Sequence, residues 1–286
     1  MQDNFVANFF DPLSNIIVLS FIVYGLLLVT PNTLYKTGTK IALYGSLLLS
    51  LAVCALVPSL LLELSVNNTA RIFCVTLPEI SFFDFSIHPT FGVDSLSLLF
   101  LFITVVTFPF AIMLLDPHMF GILGMLRHLI LIEVLLILTF TCLDLFLFAV
   151  LFESLIIPLM LIIIKYGAND RRVRALTYFF MYTMFGSFFL LLALFMVYSE
   201  VGSTDIRVFE NYRFPVGIAT EIFMLLFIVF AIKIPAFPFY IWLPEAHVEA
   251  PTVGSVILAG LMLKLGGYGI LRFLSPLEEA KEVALP

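Results

Sequence analysis

The sequence predicts an all-α integral membrane protein with about eight transmembrane helices. Two observations carry that prediction. Hydrophobic residues make up 62% of the chain and charged residues only 12%, about half the roughly 25% of a soluble domain. Apolar runs near the length of about 20 residues needed to cross a bilayer recur along the chain, with polar stretches between them. The net charge of −6 leaves no basic footprint for nucleic acid.

The candidate spans run 15–30, 41–62, 92–115, 121–141, 145–165, 175–198, 217–243 and 252–274. The fourth and fifth are divided only by a tight turn around Cys142 and Asp144, where the aspartate reads as a helix cap. Orientation follows from the loops. The loop "KYGANDRRVRA" after the fifth span carries Lys165, Arg171, Arg172 and Arg174. With alternating spans, Lys36, Lys40 and Arg127 fall on that same, cytoplasm-like or matrix-like side. Loops 63–91 and 199–216 fall opposite, with the N-terminus and a solvated tail, 275–286. Short alternating stretches in loop 63–91 predict a small β-hairpin at the outer surface.

Several chemistries leave no trace. The chain has three cysteines, Cys54, Cys74 and Cys142, without a C-x-x-C pair, and the odd number argues against a disulfide framework. There is no phosphate loop, haem or iron–sulfur spacing, or nucleophile elbow. No cofactor is expected in this chain. The start "MQDNFVANFFDPLSN" lacks the features of a signal or transit peptide.

Function is written in charges that stand where lipid should be. Glu153 lies in "FAVLFESLIIPLM", Lys233 in the seventh run and Lys264 in "LAGLMLKLGGYG". Each costs at least ~2.5 kcal/mol at a helix centre, and such residues face a bundle interior or a wet cavity. A structural Glu–Lys pair is one reading. One carboxylate and two lysines at similar depth on separate helices favour an ion path. A lysine between burial and a carboxylate can gain and lose a proton when its partner moves, which an arginine would not do.

Prolines follow Lys233 closely. Pro235 removes the hydrogen bond to the Ala231 carbonyl, Pro238 that to Ile234, and Pro244 that to Tyr240. Carbonyls freed at membrane depth must find water or a polar neighbour. A helix broken here marks a hydrated cavity, as at transporter sites; a simple packing kink is the alternative. On the eighth span Ile257, Gly260, Lys264 and Tyr268 share a face at helical spacing, and Gly260 and Gly267 would admit a close neighbour. His247 and Glu249, between the last two spans, are candidates for a proton entrance; alternatively His247 is an interfacial loop residue. Glu133 lies within the fourth span without an assigned role. Thr183 and Ser187 could bridge water or bond their own backbone.

These residues carry a resemblance. "LFESLIIPLMLIII", "YFFMYTMFGSFFLLLAL", "FGVDSLSLLF" and above all "KIPAFPFYIWLPEAHVEAPTVGSVILAGLMLKLGGYGILRF" resemble the antiporter-like membrane subunits of proton-pumping NADH:ubiquinone oxidoreductase, respiratory complex I, chain 4 in particular. The resemblance implies a first five-helix antiporter-like repeat over 121–274 with a broken seventh helix, preceded by three helices and an outer loop in 1–120. It implies that Glu153 pairs with a central lysine, Lys233, and that Lys264 relays protons onward, with His247 in a loop motif. It implies the mitochondrial inner membrane, or else a bacterial plasma membrane, and other membrane-arm subunits as partners. The family continues into a second, inverted repeat, so a second polypeptide carrying that repeat is expected. A cation/proton antiporter subunit and a scaffold with an inactive path are the competing functions.

Overall fold

A computed structural model of the chain describes residues 12–66, 72–76, 80–82, 85–87, 89–116, 119, 121–167, 171–274 and 277. The N-terminal residues 1–11, part of the basic loop and all but one residue of the tail fall outside them. Among the described residues, eight helices are long and apolar enough to cross a membrane: Pro12–Val29, Asn32–Pro58, Ser95–Met113, Ile122–Thr141, Leu145–Tyr166, Arg172–Val201, Val216–Lys233 and Thr252–Leu274. Here they are spans one to eight. The all-α membrane fold is as the sequence predicts.

The spans alternate in direction, and each end of the bundle is tied by its own contacts. At one end Arg127 donates to the carbonyls of Leu27 and Thr30, at 3.1 and 2.6 Å. Leu27 is in the last turn of span one and Thr30 just beyond it, where carbonyls lack a helical donor and a cation suits them. The Tyr166 hydroxyl donates to Gly121 beside them. At the other end, four short strands follow span two: β1 Ile72–Thr76, β2 Ile80–Phe82, β3 Phe85–Ile87 and β4 Thr90–Val93. The expected hairpin is β2 with β3, pairing Ile80 with Ile87, and it lies within a wider antiparallel pair of β1 and β4.

Three acidic caps fix the helix starts at this second end. Asp94 accepts from the Ser97 N–H at 2.8 Å, and Asp144 from that of Leu147 at 2.8 Å. Asp205 accepts from the Arg207 N–H, starting the short helix Ile206–Asn211. Each satisfies a first-turn donor that the helix itself cannot. Backbone bonds from Leu143 to Thr90, Leu145 to Thr204 and Ile206 to Leu143 draw β4, the turn 142–144 and the loop after span six together. Asp144 also accepts the Thr204 hydroxyl at 2.5 Å. Burial pushes its carboxyl above the ordinary carboxylate range, against the hydrogen bonds it accepts. Span six ends on Gly202, whose φ of +69° is a left-handed C-cap suited to glycine.

One salt bridge crosses the bundle here. Arg272, 5% exposed on span eight, pairs with Asp94 at the head of span three. Burial alone would raise the Asp94 carboxyl, but the Arg272 guanidinium and the Ser97 N–H and hydroxyl outweigh it and hold it below the ordinary range.

Span four sits at the centre, packed by spans one, two, three and five. Between helices in lipid, close packing and internal hydrogen bonds rather than water exclusion supply the association. Replacing Asp144 with alanine removes a cap and the Thr204 acceptor together. The expected cost is about 1–3 kcal/mol, read as a lower unfolding temperature of the assembled membrane complex, with Asp144→Asn recovering most of it.

Candidate functional site

Helix 216–233 stops at Lys233 itself, and turns fill 234–241 before helix Trp242–Glu249 begins. The sequence expectation of a span reaching 243 is therefore corrected. The stretch "PAFPFYIW" is as apolar as a helix, but Pro235 and Pro238 prevent one.

Three carbonyls at the break find replacement donors. Pro235 cannot donate to Ala231, as its sequence position requires. The Ala231 carbonyl is instead reached by the N–H of Ala236, at 2.8 Å. In a continuous helix that N–H would serve Ile232. The Ile232 carbonyl accepts the indole Nε1–H of buried Trp242, at 2.9 Å. Leu243 N–H likewise serves Tyr240, whose helical donor Pro244 lacks. Trp242 is held against span six by the Phe179 ring, 5.3 Å between centroids.

Lys233 is 3% exposed, and its ammonium has no hydrogen-bond partner among the described residues. It stands over the face of Phe152, 4.4 Å from the ring centroid. Glu153, the next residue of span five, is within electrostatic reach of Lys233, although no hydrogen bond joins them. Ser187 of span six lies beside the Glu153 carboxyl. Its hydroxyl and that of Thr183 also bond their own backbone, the blander of the two sequence readings. Glu153 is half-buried at a cavity of about 450 Å³ between spans five and six, lined also by Ala149, Ile157, Met184, Ser187 and Leu191.

Span five is itself interrupted at Leu155, between helices Leu145–Ser154 and Ile156–Tyr166. Pro158, which cannot donate to Ser154, was the sequence signal for this break just beyond Glu153.

Span eight departs from simple helical spacing. Residues Leu258–Met262 and Ile270–Leu274 form π turns. A π turn adds a residue to the helical turn and rotates the side chains beyond it. Ile257 and Tyr268 are consequently buried, while Lys264 is exposed on the uncovered side. The expected shared face of Ile257, Gly260, Lys264 and Tyr268 does not form. The expected close contacts at Gly260 and Gly267 are also corrected, since a Cβ there would meet nothing within 4 Å. Gly266 and Gly269 make the close approach instead. A Cβ on Gly266 would lie 2.7 Å from Ile234 Cγ1 and 3.2 Å from Lys233 Cβ, and one on Gly269 would enter the Phe230 ring. Glycine is what lets span eight touch span seven at the lysine.

His247 sits half-buried in helix Trp242–Glu249, where burial holds its imidazole below the ordinary histidine range. Glu249 is 2% exposed with Oε2 unpartnered, and Glu133 is fully buried on span four with both oxygens unpartnered among the described residues. The structure thus sets Glu153 within electrostatic reach of Lys233, puts His247 and Glu249 on one short helix near the basic end, and leaves Lys264 exposed on another face. Among the described residues no group of three His, Cys, Asp or Glu could hold a metal.

Beyond Lys233, toward the Asp94–Arg272 end, the bundle is filled with rings. Phe148 lies 5.6 Å from Phe152 and 4.7 Å from Phe273. Phe230 stacks on Phe273 at 6.1 Å, and Tyr268 packs edge-on against Phe140 at 5.1 Å and Phe100 at 5.4 Å.

A Trp242→Phe replacement keeps the ring and removes the donor to Ile232. The expected penalty is about 1–3 kcal/mol, seen as faster hydrogen exchange at residues 232–236 in the intact complex.

Comparison with known proteins gives the family and the fold. Residues 142–285 match the family described as NADH:quinone oxidoreductase/Mrp antiporter, TM, just over half of the chain. NADH-ubiquinone oxidoreductase chain 4 of Metridium senile is 48% identical over 187 residues, 65% of this chain and 38% of its own length. Its counterpart in Chondrus crispus is 38% identical over 269 residues, 94% of this chain and 54% of its own. A chain of respiratory complex I from Thermus thermophilus superposes with a TM-score of 0.78 at 26% identity, covering 95% of this chain and 55% of that one. The sequence spans about half the length of such relatives. It is a multi-pass membrane protein and belongs to the NADH:quinone oxidoreductase/Mrp antiporter transmembrane family.

Proposed function

We propose that this chain is the first-repeat part of a proton-translocating membrane-arm subunit of NADH:ubiquinone oxidoreductase, with residues 121–274 as the repeat. The observation that carries the reading is Lys233, buried at a helix break and without a hydrogen bond among the described residues, with Glu153 in electrostatic reach. An ammonium so placed has neither full hydration nor a formed ion pair, so a change at Glu153 alters its hold on a proton. The names of the relatives, NADH-ubiquinone oxidoreductase chain 4, support this setting over a free-standing antiporter.

In this mechanism Lys233 exchanges a proton with the basic-loop side, where His247 and Glu249 lie. Movement of charge near Glu153 then changes the pairing with Lys233. Lys264 passes the proton to a second repeat, which covers its exposed face and is carried by a companion polypeptide or by further length of the chain. The electrons travel elsewhere in the complex; this chain supplies no redox centre. Partners are the other membrane-arm subunits and membrane lipid. The mitochondrial inner membrane is the setting that the chain 4 relatives support.

Lys233→Met in the assembled complex is expected to remove this subunit's share of proton translocation while the complex still assembles and reduces ubiquinone. Protons moved per electron pair, measured in sealed vesicles, check it. An unchanged ratio would sink the reading, and sodium-dependent transport in its place would select the antiporter. Mass spectrometry of the gently solubilised complex identifies the carrier of the second repeat.

A further inference from the structure

The contact that Lys233 does make is with a ring. A cation within about 6 Å of an aromatic centroid is attracted by the negative face, more strongly when water is excluded. Lys233 meets this at 4.4 Å, and both partners are buried, Phe152 at 2% exposure and Lys233 at 3%. The ring is wedged by Phe148 at 5.6 Å and by Phe230 at 6.3 Å, the latter one turn before Lys233 on its own helix. Its face is thereby fixed toward the ammonium.

Phe152 and Glu153 are neighbours in the chain, so their side chains leave span five about 100° apart. A lysine has a long, flexible stem and a compact head. From one backbone position Lys233 lies over an aromatic face and within electrostatic reach of a carboxylate. In the structure it occupies the first, with no hydrogen bond to the second.

We propose that Phe152 is a positioning residue for the Lys233 proton: its ring seats the ammonium apart from Glu153, so that ring and carboxylate are two alternative seats for one charge. The ring offers attraction without a proton acceptor. On it Lys233 stays an ammonium while unpaired, and the step to Glu153 is a side-chain rotation in which no bond to hydrogen breaks. Span eight packs at Gly266 against the base of the lysine stem, which holds the Lys233 backbone in place while its long, flexible stem carries the head. This inference rests on the reading of Lys233 as the proton carrier.

Fluorinated phenylalanines at position 152 test it, because fluorine drains the negative ring face with little change in size. The complex carrying mono-, di- or trifluorinated phenylalanine is reconstituted in sealed vesicles, and protons per electron pair are measured with ubiquinone reduction. This subunit's contribution is expected to fall stepwise along the series. By the strength of such contacts the balance between seats shifts roughly 3- to 30-fold on full loss of the ring, as in Phe152→Leu. Phe152→Trp, which keeps a ring face, is expected to retain pumping. A flat fluorine series overturns the proposal, and a flat series beside a defective Phe152→Leu assigns the residue to packing alone. Lys233→Met, measured alongside, separates the two readings. If it too is without effect, the proton-carrier reading fails; if it lowers the ratio while the series is flat, only the role of Phe152 fails.

Discussion

A peptide group at membrane depth has no water to turn to, and the architecture around Lys233 follows from that constraint. Pro235 ends span seven by withholding a donor from Ala231. The donor of Ala236 is then taken from Ile232, and the indole of Trp242 fills that vacancy from the far side of the break. Two separate helices are thus joined through one displaced hydrogen bond. Because Trp242 also leans on Phe179, the geometry of the break is referred to span six, which carries Ser187 beside Glu153. The carboxylate and the lysine are held in relation by backbone satisfaction as much as by their own attraction.

Packing completes what hydrogen bonding begins. Span eight comes up against Lys233 through Gly266 and against Phe230 through Gly269. The π turns on either side set which glycines those are. The same turns rotate Lys264 away from the lysine that packs at Gly266. Two lysines at comparable depth are therefore on different faces, one sealed within this bundle and one presented outward.

Much of this was legible in the sequence, for a physical reason: charge and proline are improbable in lipid, so Glu153, Lys233 and Pro235 stand out from an apolar background. The eight spans, the hairpin and the cap at Asp144 were equally readable. The end of span seven was not, because turn and helix have the same apolar composition there. The faces of span eight were misread because a π turn adds a residue without leaving a chemical mark. The partner of the Lys233 ammonium was hidden for a third reason. Phe152 is one of 32 phenylalanines, and only tertiary packing distinguishes the ring that meets a cation from those that meet lipid.

The layer of rings above Lys233 has an electrical consequence. Phe148, Phe230, Phe273, Phe140, Phe100 and Tyr268 form a slab between the lysine and the Asp94–Arg272 pair. Such material polarises weakly, and a transmembrane voltage falls most steeply where polarisable groups are fewest. The slab acts as the dielectric of a small capacitor with Lys233 on one plate. A unit charge carried across the full potential changes energy by about 2.3 kcal/mol per 100 mV, and the share dropped across the rings bears directly on the charge state of the lysine. The energised membrane therefore acts back on the residue proposed to charge it.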